Sequence, residues 1–116
     1  MAHSISDGYC DETVRTTLDL IGSKWAMRIL WELLTGERRY AELQRRVGGI
    51  SQKVLSAELK SLVIGGLVER EVRPTVPPQV TYRVTTVGRS LDAIIGALDQ
   101  WGRQNNTAVS PAQVAS

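Results

Sequence analysis

Lys53, Ser56, Ala57 and Lys60 stand at i, i+3, i+4 and i+7 of a run that begins at Ser51 and stops at Gly65-Gly66. On a helix these four share one face, which then carries two cations, two small side chains and no hydrophobe larger than alanine. A face of that kind can approach a polyanionic groove closely. Ser51, Gln52 and Lys53, at the start of the same helix, offer hydrogen-bonding groups to base edges or phosphates, and Lys60 can neutralise a phosphate. The surroundings reinforce this. Residues 38–60 hold Arg38, Arg39, Arg45, Arg46, Lys53 and Lys60 against Glu42 and Glu58, so positive charge gathers here although the whole chain is only +2. Residues 1–22 have the opposite bias, with Asp7, Asp11, Glu12 and Asp19 against Arg15.

Other reactive groups do not assemble into a catalytic set. His3 is the only histidine and lies near the N-terminus, so no Ser-His-Asp, Cys-His or histidine-rich metal site can form within one chain. Asp11, Glu12, Glu69 and Glu71 fall on exposed sides of the expected elements, where they solubilise. Gly48-Gly49 and Gly65-Gly66 lack the flanking residues of a phosphate loop and read as helix stops. The chain therefore points away from an enzyme, and no metal or cofactor is implied. Cys10 is the only cysteine and permits no internal disulfide.

The elements that must position the basic face follow from apolar spacing. Val14, Leu18 and Ile21 mark a first helix over residues 11–21, ended by Gly22-Ser23. Residues 24–34 are apolar nearly all round, leaving only Lys24, Arg28 and Glu32 as a polar strip, which predicts a buried central helix. Arg28 and Glu32 are spaced to pair at its surface. Tyr40, Leu43 and Val47 form the stripe of a third, short helix. Gly48-Gly49 then turns the chain and Ser51 caps a fourth helix that buries Val54, Leu55, Leu59, Leu62 and Val63. Third helix, glycine turn, fourth helix is helix-turn-helix spacing.

After Leu67 the period becomes two. Val68 and Val72, then Val80, Tyr82 and Val84, are expected to face the core while Glu69, Glu71, Thr81, Arg83 and Thr85 face water. Pro74, Pro77 and Pro78 stiffen the turn between these strands and keep the sheet from extending there. A projecting hairpin of this kind is a wing, and it would carry Arg73 and Gln79 toward a minor groove. The expected architecture is mainly α with a small β-hairpin, an α+β winged helix-turn-helix.

Thr85 or Thr86 can cap a last helix with the stripe Leu91, Ile94, Ile95, Leu98 and Trp101. One small core cannot easily bury this stripe together with that of the first helix. The economical arrangement is a two-fold homodimer joined through Val14, Leu18, Leu91, Ile94, Ile95, Leu98 and Trp101, though periodicity alone also allows the last helix to fold back on its own domain. The reading helices of such a dimer would lie about one DNA turn, ~34 Å, or a multiple of it apart, on an inverted repeat in double-stranded DNA. A winged helix used only for protein docking is the rival from another class.

At 116 residues, 42% hydrophobic and 22% charged, the chain fits one ordinary globular domain over residues 10–104, with tails at 1–9 and 105–116. Its apolar runs are too short for a membrane span, and residues 1–9 lack the features of a secretory signal, so the cytoplasm is the expected compartment. A small effector is expected, if anywhere, between the first helix and the Trp25/Trp31 helix.

Several ordered motifs complete a pattern. They are Leu18-Asp19-Leu20-Ile21-Gly22-Ser23-Lys24-Trp25, Arg39-Tyr40-Ala41-Glu42-Leu43, Gly49-Ile50-Ser51-Gln52-Lys53-Val54-Leu55, Gly66-Leu67-Val68-Glu69-Arg70 and Pro77-Pro78-Gln79-Val80-Thr81-Tyr82. Through them residues 10–101 resemble the HxlR-type winged-helix transcriptional regulators. The resemblance implies a bacterial cytoplasmic homodimer that binds operator DNA and is paired through its first and last helices. It also implies a role for Cys10, which matches a cysteine that senses oxidants, quinones or aldehydes in some members. On the residues alone, Cys10 is either such a sensor or a small packed side chain. The chain departs from the pattern at Ala57 and Glu58, where arginine or glutamine is common, at Gln79, where the wing often has arginine, and at Gln52, where proline is frequent.

Overall fold

The computed structural model describes residues 8–105, so His3 and most of both expected tails lie outside the described residues. Six helices and three strands follow in the order α1 (Asp11–Ile21), α2 (Lys24–Leu34), β1 (Arg38–Arg39), α3 (Tyr40–Val47), α4 (Gln52–Ile64), β2 (Val68–Arg73), β3 (Gln79–Val84), α5 (Thr86–Arg89) and α6 (Asp92–Gln104).

Hydroxyl side chains cap three of the helices. Ser23 accepts from the Ala26 N–H at 2.9 Å, Ser51 from Val54 at 3.2 Å and Thr85 from Gly88 at 3.0 Å, each satisfying a donor the helix start leaves free. Between α3 and α4 the chain reverses through Gly48 and Gly49, whose φ angles of 73° and 74° favour glycine over any residue with a Cβ. The core sits where α2, α3, α4 and β2 meet. Ile29, Leu30 and Leu33 of α2, Leu43 of α3, Leu55, Leu59 and Leu62 of α4 and Val68 of β2 are fully buried.

Several sequence expectations are corrected. The sheet has three strands rather than two, in the order β1-β3-β2 and antiparallel throughout, with Arg38 opposite Tyr82 and Arg39 opposite Thr81. Because β3 is thereby the central strand, Thr81 is buried instead of facing water. Val72, expected inside, is 48% exposed, since it lies two residues nearer the hairpin tip than Arg70, which still borders α4. The last helix is two helices, α5 and α6, broken around Ser90 and Leu91. Finally, α2 is not sheathed on every side: Trp31 is 45% exposed, and Glu32 pairs with Arg46 of α3 rather than with Arg28.

Candidate nucleic-acid interface

Residues at the start of α4 are held by polar bonds from α3. The Tyr40 hydroxyl donates to the Gln52 carbonyl at 3.1 Å and shares a 2.9 Å hydrogen bond with the Ser56 hydroxyl. Gln44 donates from Nε2 to the Ile50 carbonyl at 3.1 Å. Together with the buried Leu43, Val47, Ile50 and Leu55, these bonds fix the angle between the two helices. On the outward side Ser51, Gln52, Lys53, Ser56, Ala57 and Lys60 are all exposed, so the whole expected basic face lies at the surface. Glu58 is turned from it toward α2, where it accepts from the Ser23 hydroxyl at 3.3 Å.

The four arginines before α4 separate into two kinds. Arg39 donates to the neutral Gln79 side chain at 3.0 Å and Arg45 is exposed with no ion-pair partner among the described residues, so both keep their full charge. Arg46 is engaged by Glu32 at 2.9 Å. Arg38 is only 18% exposed and is tied to Glu42 at 3.5 Å and to the Thr35 hydroxyl at 3.0 Å. The four arginines expected on a DNA backbone are thus differently engaged. Arg38 and Arg46 join elements of the fold, and Arg39 and Arg45 remain available. Arg73 lies opposite Gln79 in the wing, 3.7 Å from Glu71 at its nearest. The wing tip holds a cis Val76–Pro77 peptide.

Sequence reasoning missed Tyr40 and Gln44 as the side chains that hold the start of α4. The signal for Tyr40 was its amphipathic nature: a ring able to pack and a hydroxyl needing a partner at the first position of α3.

The expected pairing stripe divides by burial. Leu91, just before α6, and Ile95 within it belong to the chain's own core, which corrects their placement at a dimer interface. Ile94, Leu98 and Trp101 stay at least half exposed, as does Leu18 of α1, and Val14 is 38% exposed. Cys10 is exposed at the N-cap of α1. Its thiol pKa is lowered, first by the Thr13 side-chain hydroxyl and then by the Thr13 backbone N–H, with a smaller contribution from the Glu12 N–H. A cleft lies between α2 and α6, lined by Lys24, Met27, Arg28 and Trp31 of the one and Ile95, Asp99 and Arg103 of the other.

A helix-turn-helix whose second helix exposes a basic face, flanked by a β-hairpin wing, defines a winged helix-turn-helix domain of the DNA-binding class. The chain belongs to the HxlR-like helix-turn-helix family, whose profile matches residues 20–110. It is 34% identical over 110 residues to YdeP of Bacillus subtilis (strain 168), an uncharacterized HTH-type transcriptional regulator, covering 95% of this chain and 86% of YdeP. The redox regulator HypR in its oxidized form superposes with a TM-score of 0.74 at 38% identity, covering 80% of this chain and 96% of HypR. Diamide-treated YodB from B. subtilis gives 0.72 at 32% identity, covering 83% of this chain and 94% of YodB. The family is one of transcriptional regulators rather than enzymes.

Proposed function

We propose that this HxlR-like regulator represses transcription as a cytoplasmic homodimer on an inverted-repeat operator, with residues 10–104 as its functional unit. The carrying observation is the outward face of α4, where Ser51, Gln52, Lys53, Ser56 and Lys60 are exposed together on a helix braced from behind. In this reading α4 enters the major groove, Ser51, Gln52 and Lys53 address base edges, and Lys53 and Lys60 also meet phosphates. Arg39 and Arg45 hold the backbone, while Arg73 and Gln79 bring the wing to the flanking minor groove. Val14 and Leu18 of α1 with Ile94, Leu98 and Trp101 of α6 supply the apolar faces that pair the protomers. Repression by occupancy is favoured because the described elements serve the core, the reading surface or the pairing surface. No described helix is long and apolar enough to cross a membrane.

Cys10 makes the regulator responsive to oxidants or electrophiles. Its exposure and lowered pKa support this reading, as does the likeness to HypR and YodB. With one cysteine per chain, any disulfide joins Cys10 to another molecule, either a second copy or a small thiol. Each disulfide takes two electrons and two protons from two thiols, which diamide accepts as it becomes the hydrazine.

Anisotropy titrations with labelled genomic fragments at two salt concentrations test the assignment. Lys53→Ala and Lys60→Ala should each weaken specific binding, and more salt should weaken it steeply. Specific binding left intact by both substitutions would show that α4 is not the reading helix. Cys10→Ser should bind DNA normally but lose the response to diamide.

A further inference from the structure

The cleft between α2 and α6 is not used by the DNA-reading surface. It has a volume of about 380 Å³, within the usual range for small-molecule sites. Met27, Trp31 and Ile95 form its apolar lining, while Lys24, Arg28 and Arg103 bring cations to it and Asp99 is its one carboxylate. Spacing explains the convergence. Residues 24, 27, 28 and 31 lie along one face of α2, and 95, 99 and 103 along one face of α6. Ile94, Leu98 and Trp101, assigned above to pairing, occupy the neighbouring face of α6, roughly 100° round the helix.

The charges in the cleft are not balanced. Asp99 is taken up by Arg103, at 3.1 Å. Lys24 and Arg28 have no carboxylate partner among the described residues. The Lys24 ammonium lies 4.7 Å from the centroid of the Trp25 ring, and one Arg28 nitrogen donates to the Arg46 carbonyl at 3.3 Å, leaving its other donors free. An apolar, partly aromatic lining beside two unneutralised cations fits a flat hydrophobic body ending in one negative charge. The thioether of Met27 lets the lining adapt to the ring edge, and the exposed indole of Trp31 offers a stacking face.

We infer that the α2–α6 cleft is a binding site for a planar aromatic monocarboxylate of one or two rings, anchored by Arg28 and Lys24 and packed against Trp31. Its role as an effector site rests on the DNA-binding reading, but binding itself does not.

Isothermal titration of the full chain without DNA, using 2-naphthoate as the probe, tests the inference. Saturable binding at one site per protomer is expected. The neutral isostere 2-naphthalenemethanol should bind about tenfold more weakly, because it forfeits the charge-assisted hydrogen bonds. Arg28→Gln should weaken naphthoate binding by a similar factor, about tenfold, with little effect on the alcohol. Trp31→Ala should weaken both ligands. Arg89→Gln, which removes an exposed cation from α5, should change nothing and controls for general attraction of anions. Circular dichroism confirms that each variant is folded.

The inference is overturned if naphthoate does not bind, if acid and alcohol bind alike, or if Arg28→Gln is silent. It is also overturned if Arg89→Gln weakens binding as much as Arg28→Gln, or if affinity falls as protomer concentration rises, which would mean that a second copy fills the cleft. A protein that binds naphthoate but no DNA would refute the operator reading alone.

Discussion

Arg45 and Arg46 are adjacent, identical in type and both exposed, yet their partners differ, so replacing each by glutamine should damage different properties. Arg45 has no ion-pair partner among the described residues, whereas Arg46 is held at 2.9 Å by Glu32, whose side chain is only 14% exposed. A cation that meets a phosphate contributes about 0.9 to the salt slope of log K, so losing one contact per protomer flattens the slope of a dimer by ~1.8. Raising the salt from about 50 to about 200 mM would then cost Arg45→Gln about tenfold less affinity than the parent protein loses.

Arg46→Gln should leave most of the slope intact, because that charge is already neutralised. Its cost is to stability. It removes an interhelical pair and leaves the carboxylate of Glu32 largely shielded from water, worth ~1 kcal/mol after allowing for the exposure of Arg46. For a domain of this size that lowers Tm by about 5 °C, while Arg45→Gln should stay within ~0.5 kcal/mol of the parent. Anisotropy titrations across a salt series and thermal unfolding by circular dichroism separate the two effects. Equal slope losses in both variants would refute the division of the arginines. No slope change in either would remove α3 from the DNA backbone altogether.

Tyr40→Phe deletes the hydroxyl that bonds Gln52 and Ser56, so it should cost ~1 kcal/mol of stability and speed amide exchange at the start of α4. DNA affinity should fall with the salt slope unchanged, and a reduced slope would mean that the hydroxyl itself contacts phosphate. The lowered thiol pKa of Cys10 predicts that its alkylation by iodoacetamide, which needs the thiolate, rises with pH through a midpoint below that of a free-cysteine peptide. Thr13→Ala should move that midpoint upward, and an unmoved midpoint would discard the Thr13 hydroxyl as the main cause. Leu98→Glu places a charge on the exposed face of α6 and should yield folded monomers in sedimentation velocity, whereas an intact dimer would put the pairing surface elsewhere.

What was legible in the residues was whatever local spacing determines. Ser51 as a cap and the glycine turn before α4 are written within a few residues of one another and form as read, and of the expected buried set of α4 Leu55, Leu59 and Leu62 are buried while Val54 and Val63 are half-buried. Strand β1 was not legible, because two residues show no alternation and their partners, Thr81 and Tyr82, lie some forty positions away. The stripe from Leu91 to Trp101 was visible as apolar but not as two surfaces. Periodicity shows how wide an apolar face is, and only packing shows that the chain's own core takes Leu91 and Ile95 while Ile94, Leu98 and Trp101 stay outside. The same limit governs charge: nothing in Arg45-Arg46 says which guanidinium meets Glu32, since that depends on how α3 lies across α2.

In the proposed dimer, helix α2 stands between the pairing surface and the reading surface. Its buried face, Ala26, Ile29, Leu30 and Leu33, packs against α3 and α4. Polar bonds from Ser23 to Glu58, Arg28 to the Arg46 carbonyl and Arg46 to Glu32 reinforce the join. Close-packed side chains resist gradual deformation, so α2, α3 and α4 move as one body. In the proposed dimer, a new bond at Cys10 or a ligand in the α2–α6 cleft therefore has little scope to reshape α4 within its protomer. It can instead change how the two bodies are set against each other, because α1 is almost wholly exposed and touches its own chain mainly through Leu20 and Ile21 near its C-terminal end. The regulated quantity is then the spacing and tilt of two unchanged reading helices, against DNA that accepts them only about one turn, ~34 Å, or a multiple of it apart. On this account an oxidised or ligand-bound regulator loses affinity for the full inverted repeat while keeping its affinity for a single half-site. Equal losses on the two DNAs would place the change inside α4 after all.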